Sequence, residues 1–201
     1  MINNEFYCGM VILSDWRFIC HMTAIEIAER AIKESIIEVN NFPVEGVSFK
    51  DITPLFEQPS NYRAVITGLT EQIKLFEPEA IVGLESRGFL FGFAVAVELN
   101  LPFIMARKKG KLPRAVYSVQ YELEYGHAEL EIHNDSIKPD QKILIHDDVL
   151  ATGGTAEAAA RLVAQAGGVV CGFSFVMEIL ALNGGSRLAK TGIPHTTLAR
   201  F

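Results

Sequence analysis

The chain has 201 residues, 49% of them hydrophobic, and a formal net charge of -6. That size and composition suit one compact domain that needs neither disulfides nor a structural metal to fold. The acidic balance argues against nucleic acid as the main partner, although a local basic patch could still bind phosphates.

Residues 1–21 lack a positive leader, and Asp15 and Arg17 interrupt their apolar run. They fit neither a membrane span nor a secretory signal. Helical periodicity begins after Met22, so residues 1–22 are expected to be a non-native or disordered arm and 23–201 the domain. The alternative is an ordered extension that packs on a partner subunit. Thr23 is a predicted N-cap for a helix ending near Val39, with Ile25, Ala28, Ile32, Ile36 and Val39 at helical spacing. Asn40 to Pro43 breaks it. VEGVSFKDITPLF reads as short extended pieces, and Ser60 is the predicted cap of a second helix carrying Tyr62, Val65, Ile66, Leu69 and Ile73 on one face.

From there strands and helices alternate. AIVGL (80–84) is a predicted strand, GFLFGFAVAVEL (88–99) a helix and PFIMA (102–106) a strand. A long polar section runs from Arg107 to about Glu124, and HAELEIH (127–133) alternates like an exposed strand. KILIH (142–146), a helix from Thr155 to Ala166, and the strand GVVCGFSFVMEI (168–179) complete the pattern. Apolar strands joined through helices predict an α/β fold with a mainly parallel central sheet flanked by helices. In such sheets ligands bind beyond the carboxyl ends of the strands. The loops that matter are therefore ESRG, RKKGK and DDVLATGGT. The three cysteines, Cys8, Cys20 and Cys171, are scattered without metal-ligand spacing, as expected of reduced thiols in a cytoplasmic protein.

KILIHDDVLATGGTAEAAARL is the most informative segment. An apolar strand delivers Asp147 and Asp148, and Ala151, Thr152, Gly153, Gly154 and Thr155 then open a helix. Glycines let backbone amides approach a phosphate, and the helix dipole favours its charge. The carboxylates suit sugar hydroxyls about one ring away from that phosphate. The spacing is neither that of a P-loop nor GxGxxG. Upstream, Arg87 of ESRG could grip a pyrophosphate with its planar fork. Arg107, Lys108, Lys109 and Lys111 form a basic cluster in an otherwise acidic chain. His127 and His133 alternate on one strand with no third ligand, which argues against a metal site there.

The nucleotide segment resembles the phosphoribosyl pyrophosphate signature of the type I phosphoribosyltransferases. NFPVEGVSFKDITPLF (41–56), VGLESRGFLFG (82–92) and the stretch 107–133 are similar to adenine phosphoribosyltransferases in particular. This resemblance implies a type I phosphoribosyltransferase fold with a flexible lid loop and a small hood, built from about 41–56 and the C-terminal region. It implies that Ala151 to Thr155 bind the 5′-phosphate and that Asp147 and Asp148 hold the ribose. Ser86, Arg87, Arg107, Lys108 and Lys111 would bind pyrophosphate, some of the basic residues reaching a neighbouring subunit's site. Val47, Ser48, Phe49, Lys50 and Ile179 would hold adenine. Glu124 would handle a purine ring proton, and Tyr125 would shield the reacting carbon; with Arg87 they form the expected catalytic set. The Glu85–Ser86 peptide is expected to be cis or distorted, with Arg87 pointing into the cleft of Asp147 and Thr152. The implied reaction converts adenine and phosphoribosyl pyrophosphate to AMP and pyrophosphate. Mg²⁺ would be held mainly by substrate rather than by a protein metal site. The implied setting is a cytoplasmic homodimer without nucleic-acid or membrane partners. The rival readings are a phosphoribosyltransferase for a 6-oxopurine or orotate, and a non-enzymatic purine-responsive regulator on the same fold.

Overall fold

A computed structural model describes residues 22–122 and 127–201. The N-terminal arm expected over residues 1–22 therefore lies almost entirely outside the described residues. Helix α1 (Ala24–Ser35) starts as expected, with a reciprocal capping box between Thr23 and Glu26. It ends four residues before the predicted Val39. Ile36 turns the chain into extended conformation, and β1 (Ile37–Asn40) pairs antiparallel with β2 (Ser48–Asp51). Ile36 and Val39 continue the helical spacing, which masked the change. Their β-branched side chains favour the strand once a partner strand is available.

The next stretch is not wholly extended, since Pro54–Glu57 forms a single helical turn, α2. Helix α3 (Pro59–Lys74) begins at Pro59 rather than at a Ser60 cap. Proline at the first helical position has a suitable φ and lacks only an amide that would be unpaired anyway. Strand β3 (Ala80–Leu84) and helix α4 (Gly88–Leu99) match their predicted spans. β4 (Phe103–Lys108) follows. The polar section after it is not a continuous loop. Val116–Glu122 forms β5, paired residue for residue with β6 (His127–His133). β6 is also less exposed than its alternation suggested, because Leu130, Glu131 and Ile132 are buried.

β7 (Lys142–Leu150) runs four residues beyond the predicted KILIH, so the two aspartates lie inside the strand. α5 (Gly154–Gln165) and β8 (Val169–Glu178) follow, then a 3-10 turn at Leu180–Leu182, α6 (Gly184–Ala189) and β9 (His195–Arg200). The sheet order is β5-β6-β4-β3-β7-β8-β9, and the five strands from β4 to β9 are parallel. β1 and β2 form a separate ribbon.

Alternating side chains divide the interior into two cores. Ala80, Val82, Ile143 and Ile145 pack with Leu162 and Val163 of α5, whereas Ile81 and Leu144 pack with helices α1, α3 and α4. After β3 the chain turns to β4 on one side and later returns to β7 on the other. The crevice between the β3 and β7 loops is therefore a topological switch point, where α/β sheets bind ligands.

Candidate active site

The loop after β3 and the end of β7 touch through a glycine. A Cβ on Gly88 would lie 2.8 Å from Asp147 Oδ1 and 3.0 Å from Asp147 Cα. The absence of a side chain there is what brings ESRG against the acidic pair. The Glu85–Ser86 peptide is cis, as the resemblance implied. Arg87 Nε forms an ion pair with Asp148 Oδ2. Sequence alone placed these groups on different substrate parts, and the structure makes them direct partners.

A cleft of about 490 Å³ opens above them. Its lining includes Val47, Ser48, Phe49 and Lys50 from the β2 region, Ser86, Arg87 and Lys108, Asp147, Asp148 and Ala151, and Ile179. Elements separated by more than 130 residues thus meet in one space. Thr152, Gly153, Gly154 and Thr155 line a smaller concavity that shares Asp147 and Ala151 with the first. Arg87 and Thr152 accordingly flank Asp147 as expected, in two adjoining hollows rather than one. Gly153, at φ 79°, lets the chain turn into α5, whose start carries no side-chain cap. The first amides of a helix lack intrahelical acceptors, so this turn presents donors to an anion.

Asp147 is half-buried and accepts the Asp148 amide at 2.9 Å. Burial, followed by the adjacent Asp148 charge, pushes the Asp147 carboxyl well above the usual range, and Arg87 only partly offsets this. Such a carboxylate gains from hydroxyl donors. Phe49 meets Phe42 edge-on at 5.2 Å, and the Arg87 guanidinium lies 5.8 Å from the Phe49 ring centre. The Arg87 side chain is thereby held between the acidic pair and the aromatic wall.

Arg107 and Lys111 do not line the cleft. The Arg107 guanidinium contacts Glu85 at 3.3 Å and the Lys111 carbonyl at 3.3 Å. Glu124 and Tyr125 lie outside the described residues. Glu85 was missed by sequence reasoning, although it sits in the ESRG string. Besides Arg107, its carboxylate accepts the Lys108 amide at 2.9 Å and so fixes the start of the basic loop beside the cleft. Burial alone would raise its pKa, but Arg107 and the Lys108 amide outweigh that and hold it lowered. Gly184 was also missed. A Cβ there would fall 2.2 Å from the Ala151 carbonyl, so the glycine lets α6 press against the glycine turn that opens α5. Arg187 of α6 reaches Glu157 of α5 at 2.6 Å and ties the two helices together. The GG pair at 184–185 was the available signal.

A carboxylate pair on a central strand, an amide-rich glycine turn and a basic loop across a switch point define a phosphoribosyltransferase, and residues 55–179 match the family model described as phosphoribosyl transferase domain. Adenine phosphoribosyltransferase of Shewanella loihica is 48% identical over 170 residues, 85% of this chain and 94% of that protein. The chain belongs to the adenine phosphoribosyltransferase family. The crystal structure of adenine phosphoribosyltransferase from Rhodothermus marinus superposes with a TM-score of 0.80 at 44% identity, covering 87% of this chain and 98% of that one. That of the Saccharomyces cerevisiae enzyme, complexed with an imino-altritol bisphosphate and adenine, gives 0.78 at 38% identity, covering 85% and 98%.

Proposed function

We propose that this chain transfers the phosphoribosyl group of phosphoribosyl pyrophosphate to adenine, releasing pyrophosphate and forming AMP. The observation that carries this reading is the single cleft in which Phe49 and Ile179 meet the Asp147–Asp148 pair and Arg87. An aromatic and an aliphatic side chain suit the two faces of a flat base. β2 pairs with β1 along one edge, and its second edge has no partner strand among the described residues. Such an edge alternates N–H and C=O groups. A carbonyl can accept from the exocyclic amine of adenine while an amide donates to the unprotonated ring nitrogen beside it. A 6-oxopurine presents the opposite pattern there.

In the proposed complex the amides of residues 151–155 hold the 5′-phosphate, and Asp147 and Asp148 accept from the ribose hydroxyls. Ser86, Arg87 and Lys108 face the pyrophosphate. A ring nitrogen of adenine bonds to the anomeric carbon as the bond from that carbon to the pyrophosphate oxygen breaks, and the imidazole N–H proton of adenine is lost to a base, the role that the family resemblance gives to Glu124. Positioning and charge stabilisation supply the rate. Among the described residues no group of three or more His, Cys, Asp or Glu side chains could hold a metal. Glu85 and Asp148 are already engaged by arginines, which leaves Asp147 as the cleft carboxylate outside an ion pair among the described residues. This fits Mg²⁺ carried in by substrate oxygens and water, with Asp147 the group to meet it. Bound there, the ion would neutralise pyrophosphate charge.

The same proposal makes the enzyme a homodimer. α4 and β4 expose Leu90, Phe93, Val97 and Met105 around an apolar groove, with Phe93 57% and Val97 62% exposed. A contiguous apolar face of this kind marks a protein contact. Arg107 lies two residues from Met105 on β4 and so on the same face of that strand. No helix among the described residues is long and apolar enough to cross a membrane. The deciding assay is AMP formation from adenine with Mg²⁺, competed by hypoxanthine, guanine and orotate. Preference for one of these competitors overturns the assignment of the base.

A further inference from the structure

The hood ribbon lies outside the main sheet, every β1 residue is exposed, and a two-stranded ribbon by itself is marginally stable. Something must hold it at a fixed distance from Ile179 if a flat base is to fit between them. Lys50, on β2, lies with its ammonium 5.8 Å from the centre of the Phe201 ring, within cation–π range. The ammonium also meets Glu38 Oε2 at 2.7 Å, and Ser48 donates to the other oxygen of that carboxylate at 2.5 Å. Lys50 therefore links the ribbon's own cross-strand contacts to Phe201.

Phe201 is itself anchored on the opposite wall of the cleft. Its N–H donates to the Glu178 carbonyl at 3.0 Å, and its carbonyl accepts from the Leu180 amide at 2.9 Å. These two bonds straddle Ile179. The Ile179 amide in turn donates to the Leu150 carbonyl at 2.9 Å. A continuous path thus runs from Glu38 through Lys50 and the Phe201 ring to the backbone on both sides of Ile179.

We infer that Phe201 is a positioning residue for the base slot: its ring, held beside Ile179, engages Lys50 and sets the spacing between the hood edge and the Ile179 wall. This rests on the proposed binding of adenine between those walls. Phe201 makes no contact with substrate in this role. It acts on the base end of the ligand and leaves the phosphate turn alone.

Calorimetric titration of AMP and of ribose 5-phosphate tests the assignment, because ribose 5-phosphate keeps the sugar and phosphate and has a hydroxyl where AMP carries the base. Phe201→Leu keeps an apolar side chain but removes the aromatic face. It should weaken AMP about five- to tenfold, the range expected for one cation–π contact, and leave ribose 5-phosphate within twofold. Phe201→Tyr should restore AMP binding. Lys50→Met should weaken AMP similarly, and the double variant Lys50→Met/Phe201→Leu should be no weaker than Lys50→Met alone, since both remove one interaction. In turnover, the Leu variant should raise KM for adenine with kcat and KM for phosphoribosyl pyrophosphate little changed. Unchanged AMP affinity in Phe201→Leu, additive losses in the double variant, or equal weakening of both ligands overturns the role of Phe201. A wild-type enzyme that binds AMP no better than ribose 5-phosphate overturns the base slot itself, and the Phe201 assignment with it.

Discussion

Gly88→Ala is the sharpest test of how the site is assembled. Alanine favours a helix interior by about 1 kcal/mol over glycine, an upper bound at Gly88, which opens α4 and has no positive φ. Helix propensity alone therefore predicts a small gain in stability. Packing predicts the reverse. The added methyl would sit 2.8 Å from Asp147 Oδ1, 3.0 Å from Asp147 Cα and 3.1 Å from the His146 carbonyl oxygen. Two of those three are main-chain atoms of a central strand and cannot turn aside. Ordinary contact requires the start of α4 to withdraw by roughly half an ångström, a strain of about 1–3 kcal/mol. The steric effect exceeds the propensity gain, so the melting temperature should fall by a few degrees. Arg87 precedes Gly88 directly, and its pairing with Asp148 would be displaced as well. Misplacement on an ångström scale costs up to about a hundredfold in rate, so kcat/KM for phosphoribosyl pyrophosphate should drop by one to two orders of magnitude. Thermal melts and steady-state kinetics read both effects. A Gly88→Ala enzyme as stable and as active as wild type would refute the claimed contact between ESRG and the acidic pair.

Asp147→Asn should raise the melting temperature while weakening AMP binding, because burial and Asp148 already disfavour the Asp147 charge. Asp148→Asn should instead lower stability, since it strips Arg87 of its partner; calorimetry and melts on the two variants distinguish these outcomes, and a matching loss of stability in both would contradict the reasoning. His146 is fully buried, and burial, only partly offset by the Ser174 main chain, lowers its pKa from 6.5 to about 3. The unfolded chain takes up that proton below pH 6.5 and the folded one does not, so this group's contribution to stability is whole above pH 6.5 and is lost as pH falls toward 3. The slope from this residue approaches about 1.4 kcal/mol per pH unit, and His146→Leu should flatten the pH dependence of urea midpoints across that window. Phe93→Glu places a charge in the exposed apolar face of α4; on the proposed homodimer, sedimentation velocity should give a smaller coefficient for the variant than for wild type, and an unaltered sedimentation coefficient would remove this face from the interface.

Local pattern determined the parts of this protein that have one physical cause. The AIVGL strand was readable because burial on every side leaves a continuous apolar run, and the GFLFGFAVAVEL helix because it is apolar on its exposed face as well as its buried one, with length to separate strand from helix. The strand, glycine turn and helix over Lys142–Gln165 were readable because the three follow one another directly in the chain. Other features depend on partners far away in sequence. Ile36 to Val39 carry both a helical and a strand pattern, and only pairing with Ser48–Asp51 decides between them. The section after Arg107 looks polar in sequence, yet Val116–Glu122 becomes a strand because β6 supplies its hydrogen bonds. Glu85, Gly184 and Phe201 are ordinary residues in their own segments. Their importance comes from an arginine and an amide 22 and 23 positions away, from a carbonyl 33 positions away, and from a lysine across the cleft. Distances of that kind are set when the strands align at one end of the sheet, because only then are residues from separate loops held within contact range of each other.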